Sequence, residues 1–480
     1  MNLSDKSLLA DKCYVAGKWR GESVDAVTNP ATDAVLASVP RFGGKETVEA
    51  VEAAEQAFPA WSALTAKARS AILRRWYELI LENRNDLALI MTSEQGKPLA
   101  EARGEIESGA AYIEFYAEEA KRVYGEIIPT HRSDARIMVL RQPLGVVAAI
   151  TPWNFPSSMI ARKVAPALAA GCTVVVKPAP ETPLSALALA VLAERAGVPA
   201  GVLNIITGDA VAIGQALTSH PTVRLIGFTG STDVGKLLMK QAADTVKKVG
   251  LELGGNAPFI VFDDADIPAA VEGAMLSKFR NMGQTCVCAN RIYVQDRVHD
   301  EFVAQLVQRV SALKIGAGTD PDVQQGPLIS MKAVEKMERH VADAVAHGAK
   351  VVVGGKRHAL GKTFFEPTVV TGMKPGMANA EEETFAPLAP IYRFTTDEDV
   401  VAQANDTRYG LAAYFFAKDA ARIFRVAEAL EYGMVGVNTG MITTEAAPFG
   451  GVKQSGIGRE GSRHGIEEYT EIKYVLLAGI

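Results

Sequence analysis

Four short apolar runs, at 145–151, 173–177, 202–207 and 225–229, constrain this chain more than any other feature, because each is bounded by Pro or Gly and separated from the next by a helix-periodic segment. Strands that alternate with helices pair in parallel when each crossover helix covers a face of the sheet, so the pattern predicts a doubly wound α/β unit. A second series, at 259–262, 292–295, 350–353, 368–370, 390–394 and 436–438, predicts another unit of the same class. Ahead of both, Val48, Val51, Ala54 and Phe58, then Ile72, Leu73, Trp76, Leu79 and Ile80, recur at three- and four-residue steps and predict packing helices across 46–120. Two pieces fit neither unit: 123–141 alternates like a hairpin, and 468–477 is an apolar tail behind a Gly-rich segment. Exposed strands of this kind need a partner. With no internal repeat or low-complexity linker, the two units are expected to pack intimately.

The formal net charge of -5, with Lys and Arg interspersed among Asp and Glu, leaves no basic footprint for nucleic acid. The longest uncharged apolar stretch, 164–176, contains Pro166 and Gly171 and falls short of the roughly 20 residues a bilayer span needs. The N-terminus has no basic segment followed by an apolar run, so a cytoplasmic protein without signal peptide or membrane anchor is expected. Four cysteines are too few for a disulfide framework, and Cys286-Val287-Cys288 lacks the two-residue gap of a zinc knuckle. The seven histidines lie scattered away from that pair, so no metal site is expected. Small-molecule chemistry remains.

Cys286 closes the run Asn281-Met282-Gly283-Gln284-Thr285-Cys286. A packed core thiol is the ordinary reading of any one cysteine. Gly283 with polar Gln284 and Thr285, however, makes a poor core segment and a good loop, one that presents a thiol to a cleft with its backbone N–H free to donate. A nucleophilic thiol needs such exposure, with a base or positive potential to yield thiolate. In Leu251-Glu252-Leu253-Gly254-Gly255, Glu252 is either the solvent face of a strand or a carboxylate desolvated by apolar neighbours toward the range of a general base; the glycines, which admit close backbone approach, favour the second. The prolines of Pro152-Trp153-Asn154-Phe155-Pro156 force a turn at a strand's carboxyl end, where ligands bind in open α/β sheets. Asn154 there either closes an Asx-turn or donates its amide to a developing oxyanion. Gly230 and Ser231, between a strand and a helix, form either a phosphate-binding turn or an ordinary helix cap, since Rossmann spacing and Walker lysine are both absent. Lys177, at the end of strand 173–177, either faces a nucleotide or is simply solvated.

Together, Leu251-Glu252-Leu253-Gly254-Gly255, Gly283-Gln284-Thr285-Cys286, Pro152-Trp153-Asn154-Phe155-Pro156, Phe228-Thr229-Gly230-Ser231-Thr232 and Glu382-Glu383-Thr384-Phe385 resemble the signatures of the aldehyde dehydrogenase superfamily, over essentially the whole chain. The resemblance implies an α/β fold of two doubly wound domains plus a small oligomerisation hairpin. Residues 1–121 and 143–252 would form the NAD(P)-binding domain and 253–456 the catalytic domain. Residues 122–142 and 457–480 would form the oligomerisation element, the hairpin pairing with another subunit's tail in a homodimer or homotetramer. It further implies that Cys286 attacks the aldehyde, that Asn154 and the Cys286 backbone N–H hold the oxyanion, and that Glu252 activates the hydrolytic water. Lys177 and Ser231 would bind the adenosine ribose and pyrophosphate, Glu383 and Phe385 the nicotinamide ribose and ring, with Trp153 along the cleft. Ala386 departs from the Gly usual in the family.

Within that superfamily, Met159-Ile160-Ala161-Arg162-Lys163, Lys278-Phe279-Arg280-Asn281 and Gln284-Thr285-Cys286-Val287-Cys288 are most similar to succinate-semialdehyde dehydrogenases. Arg162 and Arg280 are spaced to clamp the remote carboxylate of a semialdehyde acid, although either alone reads equally as half of a surface ion pair. Thr443 stands where that subgroup has a carboxylate-holding Ser. Glutarate semialdehyde is the rival substrate, since one methylene is worth only about 1–3 kcal/mol of discrimination. Pro180 occupies the position of a Glu that repels a 2′-phosphate in many NAD-dependent relatives, so NADP is expected, with NAD tolerated. Cys288 is either a packed thiol or, as in some relatives, the partner of Cys286 in a regulatory disulfide. Two further alternatives are a coenzyme A acylating dehydrogenase, against which Glu252 argues, and a non-catalytic protein of the same fold, against which Cys286, Glu252 and Asn154 argue together.

Overall fold

The computed structural model describes residues 1–480. The helical periodicity of the N-terminal third resolves into Gly44–Ser62, Ala66–Glu82, Arg84–Gln95 and Leu99–Glu119. Their apolar stripes bury Trp61, Leu73, Trp76 and Ile80 completely or nearly so. Thr65 caps the second helix by accepting from the Ala68 N–H, and Gly96 ends the third in the left-handed region at φ 96°.

The first sheet has eight strands, in the order Gly456–Ile457, Lys248–Glu252, Val223–Thr229, Val146–Ile150, Thr173–Lys177, Leu203–Ile205, Cys13–Val15, Lys18–Arg20. The five from Lys248–Glu252 to Leu203–Ile205 are parallel. Strand order reverses between Val146–Ile150 and Val223–Thr229, the switch point where a doubly wound sheet opens a crevice at its carboxyl ends. The second sheet runs Lys350–Val353, Thr368–Thr371, Leu388–Phe394, Ala289–Gln295, Ala257–Val261, Ala412–Phe416, Met434–Val437. All its pairings are parallel except the one at Lys350–Val353. Ala412–Phe416, buried at every position, was not among the predicted strands. The strands near the N-terminus, among them the two-stranded pair Ser23–Thr28 and Val35–Pro40, also went unpredicted.

A third sheet joins Glu126–Ile128 and Ala135–Pro143 to the tail strand Thr470–Ala478. Here the expectation of a tail shared between subunits is corrected: the tail pairs antiparallel with the hairpin of its own chain, from Thr470 opposite Pro143 to Ala478 opposite Ala135. The helix Ser462–Glu467 turns the chain back, so the apolar tail satisfies its backbone in cis. Residues just after 456 do not go straight to that tail, because Gly456–Ile457 first pairs antiparallel with Leu251 and Glu252 at the edge of the first sheet. No helix is long and apolar enough to cross a membrane.

Candidate active site

Asn154 leaves the carboxyl end of Val146–Ile150 at the switch point, and Cys286 lies in the loop that feeds Ala289–Gln295 of the second sheet. Asn154 is buried, and its Nδ2 donates to the Gln284 carbonyl at 3.0 Å, so the amide is held against the cysteine loop. The Cys286 backbone N–H donates to no protein acceptor and is free for a ligand. Two glycines make this loop possible. A Cβ at Gly255 would fall 2.4 Å from the Cys286 carbonyl oxygen, and one at Gly283 (φ 69°) would fall 2.3 Å from that of Ala386. Ala386 itself is fully buried, and the unusual backbone sits one residue earlier, at Phe385 with φ 57°.

Cys286 opens onto a cavity of about 340 Å³ whose lining includes Phe155, Met159, Arg162, Arg280 and Thr443. Burial pushes the Cys286 thiol up to about 12 against the opposing pull of Arg162, so the resting thiol is protonated at neutral pH. The cavity's cations are of two kinds. Arg162 is 3% exposed, lies 3.0 Å from Glu460 through Nε, stacks 3.8 Å from the Phe449 ring centroid, and keeps an Nη2 with no hydrogen-bond partner. Arg280 has its guanidinium 5.5 Å from the Phe155 ring centroid and forms no ion pair with protein. Surface pairing, the ordinary reading of an isolated arginine, therefore describes neither.

Glu252, at the end of its strand, is 4% exposed and one of its carboxylate oxygens has no hydrogen-bond partner. Burial first, then the Glu460 carboxylate, raises its pKa well above the ordinary value, against Arg162, Lys163 and Arg459. Glu460 was missed in the sequence, having been assigned with 457–480 to the oligomerisation element. It lies beside Glu252, paired with both Lys163 and Arg162. Burial works against its ionised form, yet the two cations hold its pKa below the usual carboxylate range. Lys163 also donates to the Thr229 hydroxyl. The only local signal for Glu460 was the Gly-rich run Gly456-Ile457-Gly458-Arg459-Glu460-Gly461, which brings an acid to a tightly packed turn.

On the opposite side of Gly254 and Gly255, Glu383 accepts from the Gly255 N–H at 3.2 Å, and burial pushes its pKa up to about 7. Trp153 and Phe385 meet edge to face with ring centroids 5.6 Å apart. Lys177 is buried at the end of its strand and donates to the Pro178 carbonyl; burial lowers its pKa while Glu181 and Asp209 oppose that. Pro180 is exposed beside it. Ser231 caps the helix Thr232–Ala242 by accepting from the Val234 N–H, and a Cβ at Gly230 would strike the Phe228 ring at 2.4 Å. A buried amine, a helix N-terminus, two aromatic rings and a carboxylate with one protein donor fit a nicotinamide dinucleotide laid across the switch point. Cys288 is buried, and its Sγ accepts from Lys278 Nζ at 3.3 Å. All four cysteines are free thiols.

A family model described as "Aldehyde dehydrogenase family" matches residues 19–475. A glutarate-semialdehyde dehydrogenase of Pseudomonas aeruginosa is 60% identical over 484 residues, covering 100% of both chains. A succinate-semialdehyde dehydrogenase of Escherichia coli, named for NADP(+), is 60% identical over 481 residues, covering 99% of this chain and 100% of its own. Among solved structures, a succinate-semialdehyde dehydrogenase from Burkholderia pseudomallei superposes with a TM-score of 0.99 at 59% identity, covering 100% of both chains.

Proposed function

This chain belongs to the aldehyde dehydrogenase family, and from that premise we propose that it oxidises succinate semialdehyde to the dicarboxylic acid, with NADP as the preferred oxidant and NAD tolerated. The observation that carries the substrate class is the pair Arg162 and Arg280 in the cavity of Cys286, one guanidinium with a free buried nitrogen and the other with no ion pair. Glu101 and Glu105 share the lining but neither forms an ion pair with these arginines, Glu105 being paired with Lys97, so the two cations favour a ligand with an anionic end. Thr443 adds a hydroxyl to the same wall. Glutarate semialdehyde is the second reading, favoured by the full-length likeness to an enzyme of that name.

In this reading the Cys286 thiol releases its proton to solvent in the cavity and Sγ bonds to the aldehyde carbon, while Asn154 Nδ2 and the Cys286 N–H hold the resulting oxyanion. A bound nicotinamide cofactor would supply the acceptor for the hydride lost from that carbon. Lys177, Gly230 and Ser231 would hold the adenosine ribose and pyrophosphate, with Pro180 leaving room for a 2′-phosphate. Glu383, Phe385 and Trp153 would hold the nicotinamide end. Glu252 then takes a proton from water, whose oxygen attacks the thioester; the C–S bond breaks and the acid leaves. The Lys278 contact supports Cys288 as a packed thiol rather than a disulfide partner. A cytoplasmic site fits four unbridged cysteines.

Arg280→Leu is expected to lower kcat/KM for succinate semialdehyde about 100-fold, the loss of a charge-assisted hydrogen bond worth about 2–3 kcal/mol, and to leave propanal oxidation unchanged. Equal losses on both substrates would sink the anion clamp. We also propose a homodimer or homotetramer assembled through the third sheet, whose Ile127, Ile472 and Tyr474 are large and exposed. Charging that face with Ile472→Asp is expected to lower the sedimenting mass by at least one association step; an unchanged mass would move the interface elsewhere.

A further inference from the structure

Residues 95–105 lie outside every motif above, yet their side chains reach both loops that build the site. Lys97 and Glu105 form an ion pair of 2.5 Å with side chains only 1% and 2% exposed. Lys97 Nζ also donates to the Asn154 carbonyl at 2.8 Å and sits 4.1 Å from the centroid of the Phe155 ring. Glu105 Oε1 accepts from the Ser157 and Ser158 N–H groups at 3.0 and 3.2 Å, where the helix Ser158–Ala170 begins. That helix carries Arg162 and Lys163. A second bracket runs beside the first. Gln95 Nε2 donates to Asn281 Oδ1 at 3.1 Å, and Asn281 Nδ2 donates to the carbonyls of Asn154 at 3.0 Å and Gln284 at 3.1 Å.

The backbone of Asn154 is thus fixed by two donors, one of them a buried ammonium, while its amide spans to the loop of Cys286. A buried ion pair is an expensive way to gain stability, since apolar residues of similar volume do as well or better; its retention beside a reacting centre calls for another role. Positional precision is such a role, because misplacing a catalytic group by about 1 Å costs on the order of 10²-fold in rate.

We propose that Lys97, held in place by Glu105, is a positioning residue that sets the Asn154 amide at the distance from Cys286 required to receive the oxyanion. The inference rests on the assignment of Asn154 as oxyanion donor, so that assignment is tested beside it. The informative variant is Lys97→Met combined with Glu105→Gln. It removes both charges of the pair at once, leaves the nearby Glu101 with Arg280 as its cation, and keeps an oxygen at position 105 to accept from Ser157 and Ser158. Three quantities are read on the whole enzyme with succinate semialdehyde and NADP: kcat, KM and the rate at which iodoacetamide alkylates Cys286.

The expected result is a kcat lower by about 30- to 100-fold, with KM and the alkylation rate each within about threefold of wild type, because the thiol stays in place while its oxyanion donor drifts. A purely structural role would instead alter alkylation in parallel with kcat, and that outcome overturns the proposal. So does a kcat within about twofold of wild type when Asn154→Ala has lost the 10²- to 10³-fold typical of a missing oxyanion donor. Wild-type kcat in Asn154→Ala would refute the oxyanion assignment itself, a failure distinct from the first two.

Discussion

A Cys286→Ala variant is expected to lose semialdehyde oxidation by about 10⁴-fold or more while binding NADP as the wild type does, because Cys286 is the one thiol lining the cavity and the neighbouring Thr285 hydroxyl is a far weaker nucleophile. Loss of the thiol removes the proposed covalent route altogether, whereas Lys177, Ser231 and Glu383, the residues proposed to hold the cofactor, stand on other segments. Reduced cofactor absorbance with saturating semialdehyde gives the first quantity, and calorimetric titration with NADP gives the second. Turnover above about one per cent of wild type would refute covalent catalysis at this residue. In the wild type, the same desolvation that pushes the thiol up to about 12 has a readable consequence. A raised thiol pKa keeps the protonated, unreactive form dominant at neutral pH, so alkylation of the resting enzyme should accelerate steadily as pH rises from 7 to 10. A rate that is already level at pH 7 would show that the thiolate is present in the resting state.

Most of the parallel strands, though not Ala412–Phe416, were legible because fully buried strands are short apolar runs punctuated by Gly and Pro. The run at 173–177 corresponds residue for residue with Thr173–Lys177, and the apolar run at 350–353 marked the antiparallel, half-exposed edge strand Lys350–Val353 as well. Lys18–Arg20 and Ser23–Thr28 escaped because they give no apolar run, and in Ser23–Thr28 the burial alternates with Val24 and Ala26 facing out, against the hydropathy of the sequence. The pairing of the tail was misassigned for a different reason. The amphipathic character of 468–477 states that an edge must be covered, but whether the partner strand belongs to the same chain depends on the helix Ser462–Glu467, six residues long with no periodic signal of its own.

In the site, the residues proposed to do chemistry stand on Gly- and Pro-marked turns and could be singled out locally: Asn154 beside Pro152, Glu252 beside Gly254, Cys286 beside Gly283. The residues that hold them could not. Glu460 meets Lys163 from 297 positions away in the chain, and Lys97 reaches Asn154 across 57. A buried Lys or Glu has the same one-letter signature as a solvated one. Only the fold reveals that its charge is matched.

Glu252→Gln is expected to reduce steady-state turnover by about 10³-fold, within the 10²- to 10⁴-fold span of a lost general base, while leaving a stoichiometric first burst of reduced cofactor. The two halves of the reaction ask for different things. Attack and hydride loss need the thiol, the oxyanion donors and the cofactor. Hydrolysis needs a base for water, and Glu252 has a carboxylate oxygen with no hydrogen-bond partner. Glutamine keeps the shape but cannot take the proton, so the acyl group should remain on Cys286 and raise the mass of the chain by the acyl increment on rapid quenching. The pH profile follows from the direction of the shift. Burial and Glu460 raise the pKa of Glu252, so the base is protonated in acid and becomes available as pH rises through a value above the ordinary carboxylate range. Wild-type kcat should climb across that interval, and the Gln variant should lose the climb together with the turnover. A variant with neither burst nor turnover would place Glu252 in the first half-reaction, as the group that deprotonates Cys286. A variant with wild-type turnover would leave hydrolysis to another base, with Glu383, pushed up to about 7, the next carboxylate in electrostatic reach of the thiol.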